Sequence, residues 1–242
     1  MSKFCDELWV VKESKVSLKF DNNKKLKNSN IMAEYFDKVS AAQNKIFDNE
    51  LVNENKNNIK ILSIKNEEIN KLSLNDLKDY LKSDLYIVFG SSYIKGPLVD
   101  FLIQQKAINI HAGVSPYYRG SDCNFWALYD DNPHLVGSTI HLLSKGLDNG
   151  PILYHAMSNI KSNPYEYTMS TIKSAFHSIV ERIKNDSIFK IEPLVQIKSK
   201  EIRYSKKSDF DEGIVKKYFK KEINLNKMKF DISILKDPFF LN

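Results

Sequence analysis

Asn109, His111, His141 and Asp148 are the residues of this 242-residue chain whose types and spacing point to chemistry. Asn109 and His111 sit one residue apart at the end of an apolar run, Ala107 to His111. Side chains alternate along a strand, so both point to the same side. Further on, Gly137-Ser138-Thr139-Ile140-His141 leads to Gly146-Leu147-Asp148-Asn149-Gly150. An asparagine amide donates, an imidazole exchanges or donates a proton near neutral pH, and a carboxylate accepts one. Taken singly, Asn109 reads equally well as a cap of the following loop, and Asp148 as a turn residue. Four of the five histidines share this region, yet His134 and His155 have no motif around them.

The elements that must carry these groups follow from apolar spacing. Seven of the eight glycines lie between Gly90 and Gly150, and none precedes Gly90, so special backbone geometry is concentrated mid-chain. Ile31 to Phe47 has helical spacing, Ile59 to Ile64 reads as a strand, and Ser73 with Asp76 resembles a capping box opening a helix through Leu77, Tyr80 and Leu81. Leu85 to Phe89 suits a buried strand. After a turn at Gly90 to Gly96, Pro97 takes a first helical position with Leu98, Phe101 and Leu102 on the inner face. Strand, helix and strand with short connections imply a right-handed parallel crossover, whose ligands bind outside the carboxyl ends of the strands, where Asn109 and His111 lie. Asp122 to Tyr129 looks helical, with Trp126 in the core. Val136 to Leu143 alternates like a strand, Ile152 to Met157 is its partner across a turn, and Tyr165 to Ile183 is the last long helical pattern.

Composition bounds the rest. Hydrophobic residues at 42% and charged residues at 27% are those of a folded globular chain. No window approaches a membrane span, and Met1 to Lys12 lacks the apolar stretch of a signal peptide, so the expected compartment is the cytoplasm. Cys5 and Cys123 have neither disulfide nor metal-ligand spacing. The net charge of +6 favours an anionic partner. A nucleic-acid surface is not expected, because no RNA-binding motif or aromatic-interleaved basic helix is present.

The text NIHAGVSPYYRG followed by GSTIHLLSKGLDNGPIL resembles the catalytic core of the 10-formyltetrahydrofolate-dependent formyltransferases. The resemblance runs from about Asp84 to His155. It implies an α/β fold with a Rossmann-like, mainly parallel sheet flanked by helices. Asn109, His111 and Asp148 fall on the family's catalytic residues, while Pro116, Tyr118, Arg119 and Gly120 match its loop. His141 falls on the histidine of the strand before the aspartate, and with Arg119 it is a substrate-binding candidate. The implied chemistry is attack of an amine on a formyl carbon, with Asn109 and a protonated His111 holding the oxyanion and Asp148 helping to remove the amine proton. No metal is required. The implied cosubstrate is 10-formyltetrahydrofolate, its pterin near Tyr86, Val88, Ser91, Tyr93 and Ile94.

The usual first strand and glycine-bearing loop are not recognisable at the N-terminus, which weakens a glycinamide-ribonucleotide reading. The 40 residues after Ile202 are fewer than the C-terminal barrel of methionyl-tRNA formyltransferases needs. Elimination therefore leads to the sugar N-formyltransferases, which act on nucleotide-linked amino sugars such as dTDP-4-amino-4,6-dideoxyglucose, in the service of surface polysaccharides, and which pair as homodimers. A catalytically inactive folate or nucleotide-sugar binder is the alternative outside enzymes. The expected organisation is a catalytic domain over residues 1–202, divergent at its N-terminus, and a short appendage over 203–242.

Overall fold

The computed structural model describes residues 4–14, 30–47, 57–223, 225 and 231–241. In chain order the first elements are β1 (Leu8–Ser14), α1 (Asn30–Phe47), β2 (Ile59–Lys65), β3 (Ile87–Phe89), α2 (Gly96–Gln104) and β4 (Ile108–His111). The chain continues through β5 (Tyr118–Gly120), α3 (Cys123–Tyr129), β6 (Ser138–Leu142), β7 (Ile152–Ser158) and α4 (Pro164–Lys184). It ends in β8 (Arg203–Ser205), α5 (Glu212–Phe219) and β9 (Phe239–Leu241).

A five-stranded sheet of order β3-β4-β6-β7-β9 forms the centre, and β1·β2 and β5·β8 are separate pairs. The pairs β1·β2, β3·β4, β5·β8 and β7·β9 are parallel, and only β6 runs antiparallel to its neighbours β4 and β7. The arrangement is thus the mainly parallel α/β fold with flanking helices that the sequence implies. Burial explains it. All seven residues of β7 are buried, as a strand covered on both faces requires. Across it lies α4, which turns Tyr167, Thr171, Ser174, Ala175, Ser178 and Ile179 inward. The small side chains allow close approach, and Tyr154 Oη meets Ser178 Oγ at 3.1 Å. Asn163 starts this helix by accepting from the N–H groups of Tyr165 and Glu166.

Two expectations change. A first strand does exist: β1 pairs with β2 from Leu8 with Ile59 to Ser14 with Lys65. Its sequence LWVVKES alternates poorly because the strand is mostly half-buried, so period-two reading does not find it. The loop that would come next falls in residues 15–29, outside the described residues. The Ser73–Asp76 capping box also forms, with Ser73 N–H donating to Asp76 Oδ2 at 2.8 Å and Asp76 N–H to Ser73 Oγ at 3.2 Å. Beyond the box, however, the chain forms a series of turns rather than a helix. Leu77 N–H bonds to Ser73 O while Lys78 N–H bonds to Asn75 O, so the first turn mixes two spacings and does not propagate.

Residues beyond Ile202 are bound into the body of the protein. Arg203 Nε and Nη2 donate to the Asp130 carboxylate at 2.8 and 2.6 Å, and the guanidinium lies 4.3 Å from the ring centre of Trp126, a core residue as expected. At the other end, β9 covers the edge of β7. There His155, without a motif in the sequence, is a structural histidine. Its Nε2–H donates to Ser115 O at 2.8 Å, and its Nδ1 accepts from Lys236 N–H at 2.8 Å. That pattern needs the neutral ring, and burial accordingly pushes the imidazole from 6.5 down to about 4. Because the folded value lies below the unfolded one, this stability is complete above pH 6.5 and is lost as pH falls toward 4. Between about pH 7.5 and about pH 5 the wild type should lose about 2 kcal/mol that His155→Gln does not. Urea unfolding of both at each pH checks it, and parallel losses would refute it.

Candidate active site

The elements named above bring Asn109, His111, His141 and Asp148 together. The β4·β6 register sets Asn109 directly opposite His141 and His111 opposite Thr139. Asn109 Nδ2 lies 3.0 Å from His141 Nε2 and 3.4 Å from Asp148 Oδ1. His141 Nδ1–H donates to Leu142 O at 2.8 Å, which leaves Nε2 as the acceptor for Asn109. The asparagine is thereby oriented with one N–H fixed and the other only loosely held by the carboxylate.

His111 is buried, with Nε2 3.0 Å from Tyr118 O and Nδ1 3.4 Å from Asp148 Oδ2. Burial holds its pKa below the ordinary 6.5, and the nearby Asp148 charge only partly opposes this. The resting ring is therefore neutral at pH 7, donating from Nε2 to Tyr118 O. Both nitrogens nonetheless face oxygen acceptors. A developing negative charge beside the ring would favour its second proton, so the protonated His111 expected from sequence belongs to the reacting state rather than the resting one. For Asp148, burial alone would raise the carboxyl. Attraction to His111, which is charged over the acidic range where the carboxyl titrates, the contact with His141 and the Gly120 N–H at 3.2 Å outweigh it and hold the value at about 2. The site contains a permanent carboxylate.

These groups open on a cavity of about 880 Å³, whose lining residues fall into two sets, its two arms. One arm is bounded by Val88, Ser91, Tyr93 and Ile94 after β3 and by Leu143, Ser144, Gly146 and Leu147 before Asp148. Glu13 fastens the first loop by accepting from Ser92 N–H at 2.7 Å and Ser92 Oγ at 2.8 Å. Tyr93 Oη donates to Lys145 O, joining the two loops. The other arm runs past Ser121 and Asp122 to Tyr35 and Phe36 of α1, Tyr165 of α4, Lys207 and Tyr218 of α5.

Two sequence candidates lie elsewhere. Tyr86 is absent from the cavity wall. Its hydroxyl donates to Leu81 O at 2.8 Å and its ring packs edge-on against Phe101 at 5.6 Å, so it lies just before β3, half-buried against the cluster of Leu98, Leu102 and Ala107. Arg119 does not reach the cavity either. Its Nη1 donates to Glu201 at 2.7 Å and its Nη2 to Leu147 O at 2.9 Å, so its charge is spent on fastening the Asp148 loop. Sequence reading misses the tyrosines of the second arm, which are scattered over three helices and carry no local signal. Among the described residues no cluster of histidine, cysteine, aspartate or glutamate could hold a metal, and no helix is long and apolar enough to cross a membrane.

Comparison with known proteins decides the family. The formyl transferase family matches residues 16–184, more than two thirds of the chain. The chain belongs to the formyl transferase family. A methionyl-tRNA formyltransferase from a Cyanothece species is 25% identical over 126 residues, covering 51% of this chain and 37% of that protein. The match thus spans little more than a third of that curated relative. Among solved structures, the formyltransferase PseJ from Anoxybacillus kamchatkensis, in complex with UDP-4,6-dideoxy-4-formamido-L-AltNAc and tetrahydrofolate, is 27% identical, with 62% of this chain and 76% of that chain covered and a TM-score of 0.47. A sugar N-formyltransferase from a Shewanella species is 16% identical over 93% and 84% of the two chains, with a TM-score of 0.49. At these scores the family membership of the chain rests on the family match.

Proposed function

We propose that the chain is an N-formyltransferase that moves a formyl group from 10-formyltetrahydrofolate to the amino group of a nucleotide-linked amino sugar. The observation that carries this reading is the meeting of Asn109, His111 and Asp148, from one strand and a distant loop, on the wall of one cavity. A transfer between two cosubstrates needs its catalytic groups on the wall of a space that can hold both.

In this reading the folate occupies the arm of Val88, Ser91, Tyr93 and Ile94, and the acceptor occupies the other. The amine nitrogen bonds to the formyl carbon, and the carbonyl electron pair moves to oxygen. Asn109 donates its loosely held N–H to that oxyanion, and His111 takes a second proton from water as the charge develops and returns it when the carbonyl re-forms, offsetting the charge meanwhile. A carboxylate held at about 2 is a weak base toward a resting amine. The nitrogen becomes strongly acidic only once bonded to carbon. Asp148 then takes its proton and passes it to the folate N10 as the C–N10 bond breaks, giving the formamide and tetrahydrofolate.

Three features support a nucleotide sugar as acceptor. No glycine occurs before Gly90, so the segment after β1 has no glycine turn to cradle the phosphate of glycinamide ribonucleotide. The acceptor arm offers the rings and hydroxyls of Tyr35, Tyr165 and Tyr218, with Lys207 as a cation for phosphate. The net charge of +6 suits a diphosphate. Pairing as a homodimer fits the exposed apolar side chains of Leu194, Val195, Ile197 and Ile202. The Cyanothece relative favours methionyl-tRNA as the competing acceptor. We expect kcat/KM for dTDP-4-amino-4,6-dideoxyglucose to exceed that for the free amino sugar, glycinamide ribonucleotide and methionyl-tRNA by about a hundred-fold or more, since remote binding energy positions the amine. Highest turnover of methionyl-tRNA or glycinamide ribonucleotide would replace the acceptor but keep the chemistry. No transfer to any of them would leave the inactive-binder reading.

A further inference from the structure

Asp148 is the hinge of the site, and its own backbone does not hold it. Its φ of 48° lies in the left-handed region, which aspartate tolerates but does not favour. The surroundings must therefore fix the turn. Three side-chain bonds reach its backbone: Arg119 Nη2 to Leu147 O at 2.9 Å, and Gln196 Nε2 to both Asp148 O at 2.9 Å and Gly150 O at 2.7 Å. Gln196 thus straddles the turn with a single amide.

The segment that carries Gln196 is arranged for that purpose. It is tied to the start of β7 through Leu194, whose N–H and C=O exchange bonds with Ile152 at 2.8 and 2.7 Å. From Glu192 to Lys200, Gln196 alone is not exposed, while Val195 and Ile197 on either side are 74% and 52% exposed. A chain that served only packing would turn the valine and isoleucine inward and the glutamine out. Here the order is reversed. Gln196 Oε1 is moreover buried without a hydrogen-bond partner, so the side chain is not present for its own satisfaction.

We infer that Gln196 is a positioning residue for the reaction, holding the 148–150 turn so that the Asp148 carboxylate stays against His111 and Asn109. The inference rests on the proposed formyl transfer, with Asp148 as its proton carrier. Neither cavity arm includes Gln196, so its effect is on kcat through Asp148 rather than on binding.

The test compares wild type, Gln196→Leu and Gln196→Glu, which both remove the amide's two donors and of which the second keeps the length of the side chain, with Asp148→Asn and the double variant Gln196→Leu/Asp148→Asn. Each folded variant at Gln196 should lose about ten- to a hundred-fold in kcat with both KM values nearly unchanged, because a small misplacement of a reacting group is costly. In the Asp148→Asn background Gln196→Leu should cost nothing more, since the two act as one unit. Unchanged kcat, or losses that multiply in the double variant, would overturn the role. A second readout does not depend on turnover. The Asp148 charge raises the His111 pKa, so the NMR titration of His111 should move to lower pH in Gln196→Leu. If the wild type transfers no formyl group the proposed function fails, and this titration still decides whether Gln196 places Asp148; an unmoved midpoint means that it does not.

Discussion

Asn109→Ala, His111→Ala and Asp148→Asn are each expected to lower turnover at least about a hundred-fold while the protein remains folded. The reasons differ by residue. Asn109 has one N–H committed to the buried His141 Nε2 and a second held at 3.4 Å by Asp148, so alanine removes the oxyanion donor and also leaves His141 without its partner. His111→Ala removes the group that gains a proton beside the developing charge, and it also frees Tyr118 O from its 3.0 Å contact. Asp148→Asn keeps the shape of the turn, since Gln196 binds its backbone, but abolishes a carboxylate held at about 2. Losses should appear in kcat and kcat/KM together, as for interactions made in the transition state. Circular dichroism and thermal melting establish folding, and near-normal turnover in any two folded variants would sink the assignment of the site.

The second large effect is on stability. Gly120→Ala should destabilise the protein by about 3 kcal/mol or more, through two additive mechanisms. Gly120 has φ of 95°, where a side chain is strained, and a Cβ there would stand 2.0 Å from Ser205 O, a backbone atom that cannot swing aside. The β5·β8 pairing would have to part, and with it the Gly120 N–H contact to Asp148. Gly90→Ala separates the two mechanisms. Gly90 also has positive φ, at 58°, but nothing lies within 4 Å of its Cβ position, so strain alone should cost about 1 kcal/mol. Equal losses in urea unfolding of the two variants would show that the approach to Ser205 contributes nothing.

How much of this was legible in the sequence depended on how local each signal was. The strands β4, β6 and β7 and the helices α1 and α4 stand out because a buried strand or an amphipathic helix writes its period into adjacent residues. Asn109 and His111 could be placed together because spacing of two along a strand is geometry. Their meeting with Asp148 came from the family resemblance, since the β6 strand and its turn are brought to β4 only by sheet pairing. The three-residue strands β8 and β9 have too little sequence for a period, and they are strands only because β5 and β7 offer edges. The failure at Ser73 is the converse case, a correct local signal that ended after one turn. Arg119 and Gln196 illustrate the limit for single residues. Each is a polar side chain whose partner is a backbone carbonyl of a remote turn, and no spacing in the sequence encodes that.

The pairing of β9 with β7 joins residues 239–241 to residues 156–158, and that of β8 with β5 joins 203–205 to 118–120. Both span most of the distance from the catalytic motif to the far end of the chain. During synthesis, β7 leaves the ribosome with its edge uncovered; Leu194 meets it only at Ile152, and residues 156–158 stay open until Leu241 has emerged. At roughly 5–20 residues per second that interval lasts several seconds. An all-buried strand with an open edge is a template for wrong pairing during that time. The nascent chain must therefore keep that end of β7 shielded by β6 and α4, and a ribosome stalled shortly before residue 239 would present the protein's central sheet to whatever chaperone or aggregate reaches it first.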